Sequence, residues 1–431
     1  MALPRVFIST DLKLTSEEKD DAQSLIHALM YQDKMNIVGI SGTASRWGHQ
    51  NGREVDIDTV IDVYGKDLEK LREHSSAFKS VDELKAVSHQ GATVIAPNQG
   101  YATATASSEA IIAEAKKAAA AGEKLNVLTW GGETDIAQAL YDAPGIAPHV
   151  RLFTIDDQDP NAKEFIESNF KGKLDMWVDN MSAFRGVYGS PNSDDIIKGW
   201  YETNAKDHGA LGDFFAKLSG DIFNESGVKM GDSPTVFRFL SGNQNDPTQE
   251  SWGGEFREVS DRYYTDHTNQ AFKWGSTDGA LTIYEDRDAW LGSFANRFDW
   301  LKDTGNKPTE PVASGNGSDT ITVKVSGDHY QGDPNFVIKV DDKVIDYTNP
   351  VKAAHDDREW ETFTFKGQFD ADSIQKHKIE IQFNNDNWSG ISGTEGFDRN
   401  LYVDEVTFNG KVNGSDAIFK TNATQAWLFE L

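Results

Sequence analysis

The sequence contains no cysteine, so neither disulfide bonds nor thiolate catalysis is available to it. Basic residues are scarce beside acidic ones: 42 Lys and Arg stand against 69 Asp and Glu, which leaves a formal net charge of -27 at pH 7. A surface this acidic argues against nucleic acid or an anionic membrane as a partner, because both attract positive charge. Long apolar runs of membrane-spanning length are absent, and the opening MALPRVFIST has no apolar signal region.

The pattern of residues changes along the chain, which indicates more than one domain. A length of 431 residues predicts two or three domains. Residues 1–302 alternate apolar strand patterns with helical ones, typical of an α/β fold with a mostly parallel sheet and helices on both faces. Residues 303–318 are rich in Pro, Gly, Ser and Asn, as in a linker. Residues 319–431 carry period-two patterns spaced by turn signals, which predicts an all-β, jelly-roll-like sandwich.

Carboxylates follow the first apolar strand pattern at short spacing. Residues 6–8 are β-formers, Asp11 follows where that strand should end, and Asp20 and Asp21 precede a helical pattern. Because ligands bind at the carboxyl ends of parallel strands, we expect these three side chains to converge on one crevice. Like charges held this close need a cation, and calcium tolerates several carboxylates in irregular geometry. The alternative is a plain helix start whose acids favour the positive end of the helix dipole.

These residues, with others that follow in order, resemble a known family. The motif T-D followed by D-D-x-x-S resembles the calcium-binding loop of nucleoside hydrolases, in the variant found in cellulose-binding, nucleoside-hydrolase-like proteins of polysaccharide degraders. By motif order the resemblance spans about the first 300 residues. Four further groups of residues match downstream: Gly131, Gly132, Glu133 and Thr134; Phe184, Arg185, Gly186 and Tyr188; Gly231, Asp232, Ser233 and Pro234; and Trp252, Gly253 and Gly254.

The resemblance implies a metal site and a catalytic base in the first domain. Asp20, Asp21 and Asp232 would hold one calcium ion, which would position and acidify a water, and Asp11 would be the general base. The loop that contains Glu133 would contribute to the metal site. The alternatives are a tight turn and N-cap in the segment GGETD, residues 131–135, and an Asx turn at Asp232.

Two features depart from the family pattern. The loop between Asp11 and Asp20 is lengthened by an insertion, LKLTSEEK at residues 12–19, and Ser9 stands where an acidic residue is common. These departures keep open the alternative that the first domain has lost catalysis and only binds polysaccharide.

Side chains suited to holding a sugar occur in several loops. Trp47 can stack on a sugar face and His49 can donate a hydrogen bond, while an Asp-Asn pair can hold hydroxyls bidentately. By resemblance, residues 174–188 line the sugar pocket; the alternative is a strand end with an Asx turn. The predicted sugar-binding residues of the first domain are Trp47, His49, Asp179, Asn180, Arg185 and Trp252.

Acidic residues also end a later strand pattern, at residues 150–155. Asp156, Asp157 and Asp159 follow it directly. Acids in such turns are usually solvated, so we expect no site from these three.

Two stretches of the second domain resemble calcium-dependent xylan-binding modules: GDHYQGDPNF at residues 327–336 and FNNDNWSGISGTEGFDRNLYVD at residues 383–404. One loop region contains Asn385, Asp386, Glu395 and Asp398, where carboxylates and carbonyls can hold calcium and leave a position for a sugar diol. Trp388 offers an apolar face beside them. The alternative is a purely structural calcium site. The last segment, from residue 411, is compatible with a returning strand.

Together these features predict a secreted or periplasmic glycoside hydrolase that acts on plant or algal polysaccharide or oligosaccharide. Calcium would be its cofactor, with one ion in the first domain and one or more in the binding module. An alcohol leaving group needs a proton, and the candidates for the general acid are Glu255 and Glu133. The alternatives are a non-catalytic xylan- or cellulose-binding protein and, less favoured, an N-ribosyl nucleoside hydrolase. The sequence assigns no oligomeric state.

Overall fold

A computed structural model describes the chain from residue 3 to residue 430 with several gaps. The described residues are 3–15, 19–47, 53–189, 197–220, 227–266, 280–302, 318–330, 333–341, 343–355, 358–369, 376–383, 385–386, 398–413 and 416–430. The chain divides into two compact units, Met1–Asp303 and Thr304–Leu431. No helix in the described ranges is long and apolar enough to cross a membrane.

The first unit is built on one eight-stranded sheet. Its strands are β1 Arg5–Thr10, β2 Asn36–Gly42, β3 Ser88–Gln90, β4 Leu125–Thr129, β5 Val150–Ile155, β6 Met176–Asn180, β7 Phe256–Ser260 and β8 Tyr263–Asp266. Their order in the sheet is β3-β2-β1-β4-β5-β6-β8-β7, and all neighbours are parallel except the β7–β8 hairpin. The chain therefore runs outward in one direction from β1 and in the other direction from β4, which makes the β1–β4 boundary a topological switch point.

Helices cover both faces of this sheet. They are α1 Lys19–Leu29, α2 Arg53–His74, α3 Val81–Lys85, α4 Ala106–Ala121, α5 Thr134–Asp142, α6 Pro160–Phe170, α7 Arg185–Tyr188, α8 Trp200–Asn204, α9 Gly209–Ser219, α10 Ser233–Phe237, α11 Ala280–Glu285 and α12 Arg287–Asp299, with a 3₁₀ helix at Pro144–His149. Because successive side chains of a strand point to opposite faces, Val6 and Ile8 pack in the core under α1, α2 and α9, whereas Phe7 packs under α4, α5 and α6. The predicted parallel α/β architecture is confirmed.

The second unit consists of antiparallel strands. They are β9 Asp319–Gly327, β10 Asn335–Val340, β11 Lys343–Pro350, β12 Glu361–Gly367, β13 Lys376–Phe383, β14 Leu401–Phe408, β15 Lys411–Asn413, β16 Ala417–Phe419 and β17 Ala423–Glu430. One sheet has the order β11-β10-β13-β17; the other has β12-β9-β14-β15, with β16 also paired to β14. Inward-facing residues of both sheets share one core, as in the predicted sandwich.

The end of the chain completes this sandwich. β17 pairs along its length with β13, so the last segment of the chain does contain a returning strand. Trp427 and Phe429 are buried in the shared core, whereas Leu428 between them is 61% exposed. This alternation explains why a short apolar run at residues 426–429 belongs to a half-buried strand.

A buried histidine in α1 links the first unit's stability to pH. The His27 ring lies among the rings of Tyr31, Phe237 and Phe294 at centroid distances of 4.9, 5.0 and 4.8 Å. Neither ring nitrogen has a hydrogen-bond partner among the described residues. Burial, with a smaller contribution from the Arg297 guanidinium, lowers the pKa of His27 to about 3. The native state therefore holds this side chain neutral.

We predict that His27 contributes to acid sensitivity of the first unit. Below pH 6.5 the unfolded chain binds a proton at this position and the folded chain does not, so the free energy of unfolding should fall by about 2 kcal/mol between pH 7 and pH 5. Urea unfolding of His27→Leu across this range should show a correspondingly smaller fall. The control is His149→Leu, at the end of the 3₁₀ helix. Equal slopes for wild type and His27→Leu would contradict this prediction.

Candidate functional site

Four aspartates converge at the carboxyl edge of the first unit's sheet. Asp11 follows β1, Asp20 and Asp21 occupy the first turn of α1, and Asp232 directly precedes α10. All four are almost fully buried and line one cavity of about 90 Å³. The edge of a parallel sheet beside its switch point is where such folds bind ligands. The structure therefore brings together the residues that the sequence predicted as metal ligands and base.

Local contacts hold these carboxylates in place. The Thr10 hydroxyl donates to Asp21, and the Ser45 hydroxyl, in the loop after β2, donates to Asp11. Gly131, after β4, lies so close to Asp11 that a Cβ on it would be 2.8 Å from the Asp11 backbone nitrogen. Only glycine fits that position without displacing Asp11. Close packing against Asp11 therefore explains why the motif has a glycine at position 131.

The donor set suits a hard divalent cation. Asp20, Asp21 and Asp232 each offer one carboxylate oxygen, and these oxygens lie within 4.8 Å of one another. The second oxygen of Asp20, Oδ1, is buried with no hydrogen-bond partner among the described residues. A buried carboxylate with an unused oxygen beside two other buried carboxylates fits calcium, which is bound by oxygen ligands alone. The residues present therefore fit the predicted ion.

A lysine that the sequence analysis did not single out also lines the cavity. The Lys229 ammonium lies 3.0 Å from Asp20 Oδ2 and 5.5 Å from the centre of the Tyr188 ring. Tyr188, in a family motif, lines the cavity as well, and burial raises its pKa to about 12. Its phenol therefore stays protonated at neutral pH. Lys229 lies two residues before the motif that starts at Gly231, and this proximity was the available signal.

Aromatic surface marks the mouth of the cavity. Trp47 lines it and is 62% exposed, with the Arg46 guanidinium 4.7 Å from the centre of its ring. Arg46 in turn lies 3.5 Å from Asp156 Oδ2 and 3.7 Å from Asp157 Oδ2. This arrangement leaves an indole at the entrance with room to stack on a sugar. His49, the neighbouring predicted donor, lies outside the described residues.

Glu133 and Glu255, the two candidates for the general acid, are not among the described residues that line this cavity. Glu133 is completely buried at the start of α5, and neither carboxylate oxygen has a hydrogen-bond partner among the described residues. Burial raises its pKa well above the usual range, and the nearby Lys163 opposes that rise. Glu255 is half-buried after the loop that precedes β7. Neither glutamate therefore shares this cavity with the four aspartates in the described part of the chain.

Four of the predicted sugar-binding residues have other surroundings. Asp179 accepts hydrogen bonds from Thr154, Lys163 and Tyr263 at 2.8, 3.0 and 2.6 Å, and so belongs to a buried network. Asn180 accepts from the Phe184 backbone, four residues further along the chain, at 3.0 Å, and so holds the segment before α7. Arg185 is half-buried in α7, and Trp252 packs against the first unit's core. None of these four lines the cavity in the described part of the chain: Asp179, Asn180, Arg185 and Trp252.

The expectation for the acids after β5 was wrong for two of them: Asp156 lines the cavity, and Asp159 is buried. Asp159 is fully buried at the N-cap of α6, where it accepts from the Ala162 backbone at 3.2 Å. It also accepts from the Ala96 backbone at 2.8 Å and from the Thr134 hydroxyl. It therefore ties the loop before α4 to α5 and α6. The turn signal in the sequence did not reveal these distant partners.

Part of the predicted calcium region is described in the second unit. Asp386 and Asp398 each have one buried carboxylate oxygen without a hydrogen-bond partner among the described residues. Burial raises the pKa of Asp386, and Asp398 raises it further. Arg399 donates to the Asn385 carbonyl at 2.7 Å and thereby fixes this loop. Two carboxylates that repel each other and have unused oxygens fit calcium; Glu395 and Trp388 lie outside the described residues.

Family models match both units. Residues 5–256 match the family described as cellulose-binding Sde182, nucleoside hydrolase-like domain. Residues 320–422 match the Ca-dependent, xylan-binding carbohydrate-binding module. Both predicted resemblances are thereby confirmed, and the second match supports calcium in the binding module. No curated protein matches the chain.

Solved structures were compared with the whole chain, and one of them shares its fold. A nucleoside hydrolase-related hypothetical protein from Saccharophagus degradans, associated with carbohydrate metabolism, aligns over 99% of both chains with 17% identity and a TM-score of 0.58. A plant nucleoside hydrolase aligns over 69% of this chain and 99% of its own, with 12% identity and a TM-score of 0.41. A purine-preferring ribonucleoside hydrolase from Gardnerella vaginalis covers 69% and 98%, with 16% identity and a TM-score of 0.39. The first of these supports the two-part architecture.

We predict that Gln23 positions the segment that carries Lys229 and Asp232. Its buried amide accepts from the backbone of Lys229 and Met230 at 2.8 and 3.1 Å and donates to Ser219 at 2.9 Å. Gln23→Met should leave these groups unsatisfied and lower the free energy of unfolding by about 3 kcal/mol. Urea unfolding measures the loss, and hydrogen exchange should show faster exchange at residues 228–232.

The control for Gln23→Met is Gln249→Met, because Gln249 is exposed and its amide donates to Asp246, in an exposed turn, at 3.0 Å. A loss at Gln23 no larger than that at Gln249 would show that the segment is held by other contacts.

Proposed function

Since the chain belongs to the family of cellulose-binding Sde182 proteins with a nucleoside-hydrolase-like domain, we propose that it is a secreted glycoside hydrolase acting on plant or algal polysaccharide. The observation that carries this proposal is the convergence of Asp11, Asp20, Asp21 and Asp232 on one cavity at the switch point of the sheet. Family membership supports polysaccharide as the partner. Cleavage of a glycosyl bond is the step that we add.

Asp20, Asp21 and Asp232 would hold calcium in this cavity. When bound, the ion would position and acidify a water molecule and offset the mutual repulsion of the carboxylates. Asp11 would take the proton from that water, because the Ser45 hydroxyl fixes its carboxylate at the cavity wall. The water oxygen then bonds to the anomeric carbon while the bond from that carbon to the leaving oxygen breaks, through a state with oxocarbenium character.

The leaving oxygen of a sugar alcohol needs a hydrogen-bond donor and then a proton. Tyr188 keeps its phenol proton at neutral pH and lines the cavity, so it would donate to that oxygen as charge develops. Glu133 and Glu255 remain our sequence-based proposals for the acid, although neither lines the cavity among the described residues. Trp47 would stack on the sugar at the entrance.

The second unit would hold the polymer close to the first. Tethering a binding module to a catalytic domain raises the local concentration of substrate without any new contact in the catalytic site. Asp386 and Asp398, with Glu395, would hold the module's calcium, and a sugar diol would complete the coordination. A polymer substrate gives this attachment a purpose that a free nucleoside would not.

A second candidate function is polysaccharide binding without catalysis. Two observations favour it: Lys229 already pairs with Asp20 in the cavity, and the family is described as cellulose-binding. In that case both units would hold polysaccharide, and the aspartates would serve binding or stability. Variants separate the two candidates.

We predict that Asp11→Asn and Asp386→Asn have opposite effects. Asp11→Asn should lower the rate of reducing-sugar release from an oligosaccharide about 100-fold, because it removes the base, and leave retention on xylan unchanged. Asp386→Asn should weaken calcium-dependent retention on xylan about tenfold, because it removes a calcium ligand, and leave oligosaccharide turnover unchanged. Asp288→Asn, at an exposed carboxylate of α12, is the matched control. Unchanged release by Asp11→Asn would mean that Asp11 is not the base.

We predict that Trp47→Ala weakens substrate binding at the cavity mouth. Loss of one stacked ring should raise the KM for an oligosaccharide about tenfold and leave kcat nearly unchanged, because the ring contacts the sugar equally before and during reaction. The melting temperature should not change, since the indole is 62% exposed. Steady-state kinetics measures both constants, with Trp360→Ala in the second unit as the control. A fall in kcat at constant KM would contradict the stacking role.

A further inference from the structure

The cavity of the first unit contains a fixed positive charge of its own. The Lys229 ammonium lies 3.0 Å from Asp20 Oδ2, and Asp20 is one of the three carboxylates whose oxygens lie within 4.8 Å of one another. The Lys229 side chain is 19% exposed and that of Asp20 is 9% exposed. This pair is therefore shielded from solvent, and water and salt screen it much less than they would a surface pair.

The position of Lys229 is set by contacts at both ends of the residue. Its backbone nitrogen donates to the buried Gln23 side chain at 2.8 Å, and that amide also accepts from Met230. The ammonium lies 5.5 Å from the centre of the Tyr188 ring, within the range of a cation–π contact. The side chain thus reaches into the cavity from a segment held by α1, the same helix that carries Asp20.

An ammonium and a divalent cation cannot both use Asp20 fully. A metal that takes Asp20 must either displace the ammonium or share one carboxylate with it at close range, where two positive charges repel. Calcium affinity depends on the number of ligand charges that the site supplies. Lys229 neutralises one of the three carboxylates, so it lowers the net charge available to the ion.

We infer that Lys229 is a built-in competitor for the cation of the first unit and sets how strongly that site binds calcium. The inference rests on the proposed function for the identity of Asp20, Asp21 and Asp232 as the cation site, and it adds a control on occupancy. When calcium is scarce, the Lys229 ammonium partly neutralises the negative charge of the carboxylates. When calcium is abundant, the ion displaces the ammonium from Asp20, and the lysine side chain turns toward solvent.

The test is calcium titration of the full chain by calorimetry, with Asp386→Asn in every protein to remove a ligand of the second unit's site. Lys229→Met should bind calcium at least tenfold more tightly than the parent. Lys229→Arg keeps the charge and should stay within about threefold of the parent. Lys217→Met, at an exposed lysine of α9, is the matched control and should leave the affinity unchanged.

Thermal unfolding supplies a second readout. In chelator, Lys229→Met should melt below the parent, because the buried Asp20 carboxylate loses its partner. Added calcium should raise the melting temperature of Lys229→Met more than that of the parent. A variant that failed to fold would show no cooperative transition. Lys229→Arg would then be compared with the parent in the same calcium titration. A change in calcium affinity of more than about threefold would overturn the inference.

Equal or weaker calcium affinity in Lys229→Met would overturn the inference, as would the absence of calcium binding in all proteins. Sugar release by the wild-type chain, measured in parallel, separates this failure from failure of the proposed function. Calcium-dependent release together with unchanged affinity in Lys229→Met would reject only the competitor. Tighter binding by Lys229→Met without release from any substrate would reject only the hydrolase.

Discussion

Mutual repulsion among buried carboxylates is the constraint on which the first unit's site depends. Asp11, Asp20, Asp21 and Asp232 line one cavity of about 90 Å³ and are almost entirely removed from water. Carboxylates so arranged repel one another strongly unless positive charge lies close by. The chain supplies one such charge in Lys229, and the donor set fits a divalent cation as another. The state of this site therefore depends on whether the Lys229 ammonium or a bound cation neutralises the aspartates.

The sheet makes that arrangement possible. Its strands diverge from the boundary between β1 and β4, so the loops after these strands separate and leave a crevice at their carboxyl ends. Close packing at Gly131 lets the end of β4 approach Asp11, and α1 begins with both of its aspartates facing the same crevice. The second unit, by contrast, has the architecture of a binding module, with carboxylates in a loop region and a core shared by two sheets. A polymer-binding module and a hydrolase-like cavity in one chain support action on polysaccharide.

Much of this organisation was predictable from sequence because it depends on local periodicity. The strand before Asp11, the helix that begins around Asp20 and Asp21, and the period-two strands of the sandwich each follow from spacing within a few residues. Contacts between distant segments were not predictable in this way. Lys229 contacts Asp20 although more than 200 residues separate them in the sequence. The burial of Glu133 depends on how α5 packs, so the sequence did not reveal that the fold encloses its carboxylate.

The most direct measurement is reducing-sugar release by the full chain from a panel of plant and algal polysaccharides and nucleosides, first with calcium and then with a chelator. Our account predicts release from a polysaccharide that the chelator abolishes. Silence across the whole panel, with calcium-dependent retention on xylan or cellulose, would contradict the hydrolase and leave a binding protein. Release from nucleosides alone would contradict the choice of polysaccharide as substrate.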